Sequence, residues 1–303
     1  MDIISLGEAM VEFNQVPSEN IYAAGFGGDT SNCAVAAARQ GARVGYISAV
    51  GTDAFGDLLL GMWGSEGVDV TTVRRVAHAP TGIYFVTHGT AGHQFTYYRQ
   101  GSAAAQMTAA DMPADAIKAA KILHISAISQ AISETACDAV FAAIDIARAA
   151  GVRVSYDTNL RLKLWPLERA TAIIQQTATL SDILLPGLDD ARALTGLQDP
   201  DAIVDLYLGL GVGIVGLTLG EQGAIIATPS QRRHLAPHPV NCIDATGAGD
   251  AFDGAFLARL AAGDDAFVAG RYANAAAALS TTGYGAIAPV PRPQAIEALM
   301  KTG

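Results

Sequence analysis

The feature that most constrains this chain is an alternation of short apolar runs with helical patterns. Runs at Ile3–Ser5, Val44–Ile47, Lys121–Ile125, Arg153–Tyr156, Asp182–Leu185 and Ile214–Thr218 have strand length and composition. Several end in Gly, Ser or Asp. Between two of them Ser133 precedes Glu134, and Cys137, Val140, Phe141, Ile144 and Ala147 repeat at helical spacing up to a stop at Gly151. This alternation predicts an α/β fold, a doubly wound, mostly parallel sheet covered by helices on both faces. With 303 residues, 50% of them apolar and 16% charged, the chain has material for a large core and is not disordered. A single domain over 1–303 is expected.

Two stretches, at about 11–26 and 70–100, break the rhythm, with strand-like content and no long helical pattern. In the second, Gly82–Thr87 and Gln94–Arg99 flank a glycine-rich turn from Gly89 to Gly92, which reads as a hairpin. Both stretches are expected to form a small second sheet beside the main one. It is either a lid over a ligand cleft or a decorated sheet edge.

Charge and cysteine usage narrow the function. The formal net charge of −10 opposes a polyphosphate duplex, and the densest basic runs are the pairs Arg74-Arg75 and Arg232-Arg233, so no nucleic-acid partner is expected. The absence of a long apolar stretch argues against a membrane span, and Met1-Asp2-Ile3-Ile4 lacks the cationic start of a leader. Cys33, Cys137 and Cys242 are far apart and form no C-x-x-C, which argues against a disulfide framework or zinc site and for a reducing cytoplasm.

The densest chemical signal is Asp244-Ala245-Thr246-Gly247-Ala248-Gly249-Asp250-Ala251-Phe252, followed by Ala255, Phe256 and Arg259 at helical spacing. Small residues at a helix start let backbone N–H groups crowd around an anion, and the helix dipole favours phosphate there. Asp250, in the first turn, would be a poor anion ligand. It makes sense as a base that takes a proton from an attacking hydroxyl. Lys118, Lys121, Lys163 and Lys301 all lack a Walker-type context, and the first strand runs into Gly7-Glu8-Ala9-Met10 rather than a dinucleotide fingerprint. His234 and His238 are separated by Pro237, which argues against a helix presenting both to a metal. His88 and His93 read as loop residues, and Cys33 as a packing residue.

These residues resemble the ribokinase-like (PfkB) family of carbohydrate kinases. The string ending at Asp250 matches the family's C-terminal signature. Gly27-Gly28-Asp29-Thr30-Ser31-Asn32, Val44-Gly45-Tyr46 and Gly51-Thr52-Asp53-Ala54-Phe55-Gly56 match its N-terminal region. Within the family the chain is most similar to 2-keto-3-deoxygluconate kinases, through Thr81–Tyr84, Tyr97–Ala104 and Asp157–Trp165. The resemblance implies a ribokinase-like fold with a small β lid, ATP as phosphoryl donor and Mg²⁺, with a monovalent cation left open. It also implies a homo-oligomer through the lid sheet.

Carried over, the family pattern makes Asp250 the catalytic base and Gly247, Ala248 and Gly249 the anion hole, with Arg161 near the reaction centre. Gly28, Asp29 and Asn32 would contact substrate oxygens, and Tyr84, Tyr97 and Arg99 would close over the substrate. Arg99 and Arg161 offer the fixed donors that suit a sugar acid's carboxylate. Asn159 and Arg161 would face the phosphates, Thr218, Gly220 and Gly223 would line the nucleotide, and Asn274 would approach its adenine or ribose side. Two departures stand out. Gly187-Leu188-Asp189-Asp190 replaces the family's Asn-x-x-Glu, so no metal ligands are assigned, and Thr218 stands where many relatives carry Lys.

Overall fold

The computed structural model describes residues 1–16, 21–89 and 92–302. Its strands are, in chain order, β1 (Ile3–Leu6), β2 (Met10–Gln15), β3 (Tyr22–Gly27), β4 (Val44–Gly51), β5 (Val73–Val76), β6 (Ile83–Gly89) and β7 (Gly92–Tyr98). There follow β8 (Ile122–Ser126), β9 (Arg153–Asp157), β10 (Ile183–Leu185), β11 (Ile214–Thr218), β12 (Ala224–Ala227) and β13 (Arg232–Leu235). Every apolar run read as a strand forms one.

The large sheet has the order β13-β12-β11-β10-β9-β8-β1-β4-β5. It is parallel from β5 to β11, and only β12 runs against the rest, pairing antiparallel with β11 on one side and β13 on the other. Strands β1, β4 and β8 are buried along their whole length, as parallel strands covered by helices on both faces must be. One apolar layer forms around Ile144, Tyr156 and Tyr207, and the other around Trp63, Phe252 and Phe256. The helix Glu134–Ala149 is capped by Ser133, whose Oγ accepts from Ala136 N at 3.0 Å.

The small sheet has the order β3-β2-β6-β7. Its outer pairs are antiparallel and its central pair, β2 with β6, is parallel. In β6 Tyr84 and Val86 are buried, and they pack with Met10 and Phe95. The expectation for the second irregular stretch needs one correction. Val73–Val76 does not join the small sheet but pairs parallel with β4 at the edge of the large one. A short strand carries no local mark of which sheet it will extend. Here the β4 edge was open, and the chain reaches it before leaving for the lid. Residues 17–20 of the first stretch, and 90–91 of the expected turn, lie outside the described residues.

Candidate active site

A cavity of about 850 Å³ lies where the small sheet faces the C-terminal ends of the parallel strands, the position at which open α/β sheets bind ligands. Gly28, Asp29, Asn32, Tyr84, Tyr97, Arg99, Asn159, Arg161, Thr218, Gly247, Ala248, Gly249 and Asp250 all line it. Gly220, Gly223 and Asn274 are not among its lining residues. Gly223 turns the chain between Leu219 and β12, and Asn274 Nδ2 donates to the Ala236 carbonyl at 2.8 Å.

Gly247 starts the helix Ala248–Ala262 in the left-handed region, at φ 76°, and a Cβ there would come within 2.8 Å of Ala286. Asp250 therefore stands in the first turn with Ala248 and Gly249 beside it. That helix crosses the one at Asp29–Arg39 closely. A Cβ on Gly254 would lie 2.4 Å from the Cys33 carbonyl and 2.5 Å from Ala36. The close crossing lets Asn32 Nδ2 donate to Asp250 Oδ2 at 2.8 Å. Asn32 Oδ1 is buried without a hydrogen-bond partner.

Burial pushes the Asp250 carboxyl up to about 7, with the negative charge of Asp29 adding to the rise. The Asn32 hydrogen bond and Arg161 pull the other way. A carboxyl poised there at neutral pH is suited to general-base work. Asp29 is itself held, accepting from Thr30 N at 2.8 Å and from Asn159 Nδ2 at 2.9 Å. Asp157 and Asp253 also line the cavity, and burial and neighbouring carboxylates raise both well above the ordinary aspartate range.

On the lid, Tyr84 stacks on Tyr97 with centroids 5.5 Å apart, and its hydroxyl donates to Glu12 Oε2 at 2.5 Å. Arg99 is not a free cation. Its Nε donates to Glu8 Oε2 at 2.7 Å, and Nη2 lies 2.5 Å from the same oxygen. No motif in the sequence marks Glu8 or Glu12. Glu8 carries a faint signal, as an acid directly after the first strand, at the ligand-facing end of the sheet. Arg161 Nη1 donates to the Leu160 carbonyl at 2.8 Å, and its charge acts on Asp157, Asp190 and Asp250.

The donor set suits a Mg²⁺ that arrives with a nucleotide rather than one caged by protein. Among the described residues no group of 3 or more His, Cys, Asp or Glu side chains converges on a metal position. Mg²⁺ ordinarily keeps several waters and takes one or two carboxylates plus phosphates. Asp190 Oδ2 accepts from Leu160 N at 3.0 Å, leaving Oδ1 as a hard oxygen donor at the cavity wall.

A family model described as pfkB family carbohydrate kinase matches residues 1–293. The chain is 35% identical to the 2-dehydro-3-deoxygluconokinase of Bacillus subtilis (strain 168), over 83% of this chain and 81% of that one. It is 33% identical to fructokinase-2 of Solanum habrochaites, over 99% and 96%. The crystal structure of fructokinase from Vibrio cholerae O395, in fructose, ADP and calcium ion bound form, superposes with a TM-score of 0.89 at 30% identity, covering 99% of each chain. The chain belongs to the pfkB family of carbohydrate kinases and has its ribokinase-like fold.

Proposed function

We propose that this pfkB-family kinase transfers the γ-phosphoryl group of ATP to the terminal hydroxyl of 2-keto-3-deoxygluconate, the sugar acid also written 2-dehydro-3-deoxygluconate. One observation carries the chemistry. Asn32 Oδ1 is a buried acceptor without a partner, beside a carboxylate whose pKa is raised to about 7. A substrate hydroxyl beside the reacting one supplies the missing donor to Asn32, which leaves the reacting hydroxyl to turn its own proton to Asp250.

In this reading the hydroxyl loses its proton to Asp250 as its oxygen bonds to the γ-phosphorus, and the bond to the ADP oxygen breaks. The N–H groups of Gly247, Ala248 and Gly249 hold the developing negative charge, with Arg161 across the cavity. A Mg²⁺ held by the phosphates and Asp190 would neutralise further phosphate charge. The small sheet keeps water from competing for the phosphoryl group. Most of the acceleration then comes from positioning and fixed charge.

The acid sugar is supported by the 2-dehydro-3-deoxygluconokinase relatives and by Arg161 and Lys163 in the cavity lining. Fructose is the second reading, supported by fructokinases that match 99% of the chain and by the Glu8 carboxylate that already pairs with Arg99. A coupled ADP-release assay with ATP and Mg²⁺ compares 2-keto-3-deoxygluconate, fructose and ribose. Turnover on the acid alone is expected, and turnover on fructose alone would replace the substrate.

A further inference from the structure

The Glu8 carboxylate joins the two places where the chain passes between the sheets. Glu8 follows β1 at the exit from the large sheet, and Arg99 and Ser102 follow β7 on the return from the small one. Glu8 Oε2 accepts from Arg99 Nε and lies in ion-pair contact with Nη2, which itself has no hydrogen-bond partner, and Oε1 accepts from Ser102 Oγ. The Glu8 side chain is 1% exposed and that of Arg99 11%. Both lie on the wall of the substrate cavity.

We propose that Glu8 sets the selectivity of this cavity between acid and neutral sugars by neutralising Arg99. The inference rests on the reading of the cavity as a sugar site. A buried guanidinium without a counter-charge is unfavourable, so Glu8 keeps Arg99 in place whether or not substrate is bound. A sugar entering under the lid meets an ion pair. Such a pair can hydrogen-bond a hydroxyl about as well as a carboxylate, and it gives an anion no net attraction. Arg161 and Lys163 are left as the cations that favour an acid. Without the Glu8 charge, Arg99 becomes a net cation, and the substrate's own carboxylate takes the vacant role. A neutral sugar has nothing to offer there.

The test uses Glu8→Gln, which keeps the shape and the acceptor oxygen, alongside Arg99→Gln and the double variant. For each, kcat/KM is measured on 2-keto-3-deoxygluconate and on fructose, and ligand-induced shifts in Tm are measured with both sugars. Glu8→Gln is expected to raise the acid-to-neutral ratio about tenfold, the scale of one close charge pair. Arg99→Gln leaves Glu8 as an unpaired anion and is expected to lower the ratio by a similar factor. The double variant carries neither charge, so its ratio should return to near that of the wild type. Equal losses on both sugars, or a double variant whose ratio stays well away from that of the wild type, would overturn the proposal. If Glu8→Gln does not fold, Arg99→Gln alone decides it, since an unchanged ratio there contradicts the neutralisation. If the wild type phosphorylates only fructose, the substrate reading fails by itself. The Tm shifts still report how the variants rank the two sugars as ligands.

Discussion

Asn32 and Asp250, 218 positions apart in sequence, are joined by a 2.8 Å hydrogen bond at the floor of the cavity. The bond exists because two helices cross at Gly254 with no room for a side chain between them. It orients the carboxylate, opposes the rise in its pKa, and leaves Asn32 Oδ1 buried without a hydrogen-bond partner. Packing, electrostatics and chemistry thus meet in one contact.

The pH dependence follows from the Asp250 carboxyl at about 7. Only the ionised form is a base, so kcat/KM should fall about tenfold per unit as pH drops below that value. Asn32→Leu removes a contact that favours the ionised form and should move this limb to higher pH. Asp29→Asn removes a like charge and should move it to lower pH. Profiles of kcat/KM between pH 5 and 9 (about two units on either side) check both signs.

Stability carries the same signature. A carboxyl raised from 3.8 to about 7 on folding binds its proton more tightly in the folded state. Stability from this group is therefore fully present below the unfolded value and is lost as pH rises through about 7. Asp157 and Asp253 add to the effect with the same sign. Thermal unfolding should show a falling Tm over this window, and Asp250→Asn should flatten the fall.

Gly254→Ala places a methyl group against the Cys33 carbonyl and Ala36. The helices must separate, at a cost of about 1–3 kcal/mol. Chemical denaturation should show that loss. Turnover should fall with it, because Asn32 moves away from Asp250.

Arg161→Ala removes a cation that lines the cavity and acts on Asp250, and that faces the phosphates in the proposed reaction. Loss of one such charge-stabilising donor costs roughly 10²–10³ in turnover. Stability should change little, because Arg161 is an exposed residue of the loop after β9. Steady-state kinetics with ATP varied, set beside a melting curve, separate the two.

Much of this was legible in the sequence because it is local. Strand runs such as Val44–Ile47, the Ser133 cap and the string ending at Asp250 each state their structure within a few residues. Sheet membership is not local in that sense, and Val73–Val76 looks like lid sequence while its partner is β4. The ion pair of Glu8 and Arg99 spans 91 positions. An acid after a strand and an arginine after a hairpin do not announce each other. Arg99 consequently read as a free receptor for a carboxylate, and only the fold shows its charge already taken. The amide of Asn274 is likewise engaged by Ala236, a contact 38 positions away.

The most direct measurement compares Asp250→Asn with the wild type in two readouts, coupled ADP release and ligand-induced Tm shift with ATP and sugar. If Asp250 takes the proton, turnover falls by roughly 10²–10⁴ while both ligands still bind. Near-normal turnover in the variant would contradict the account, since the proton would then have to leave to another group.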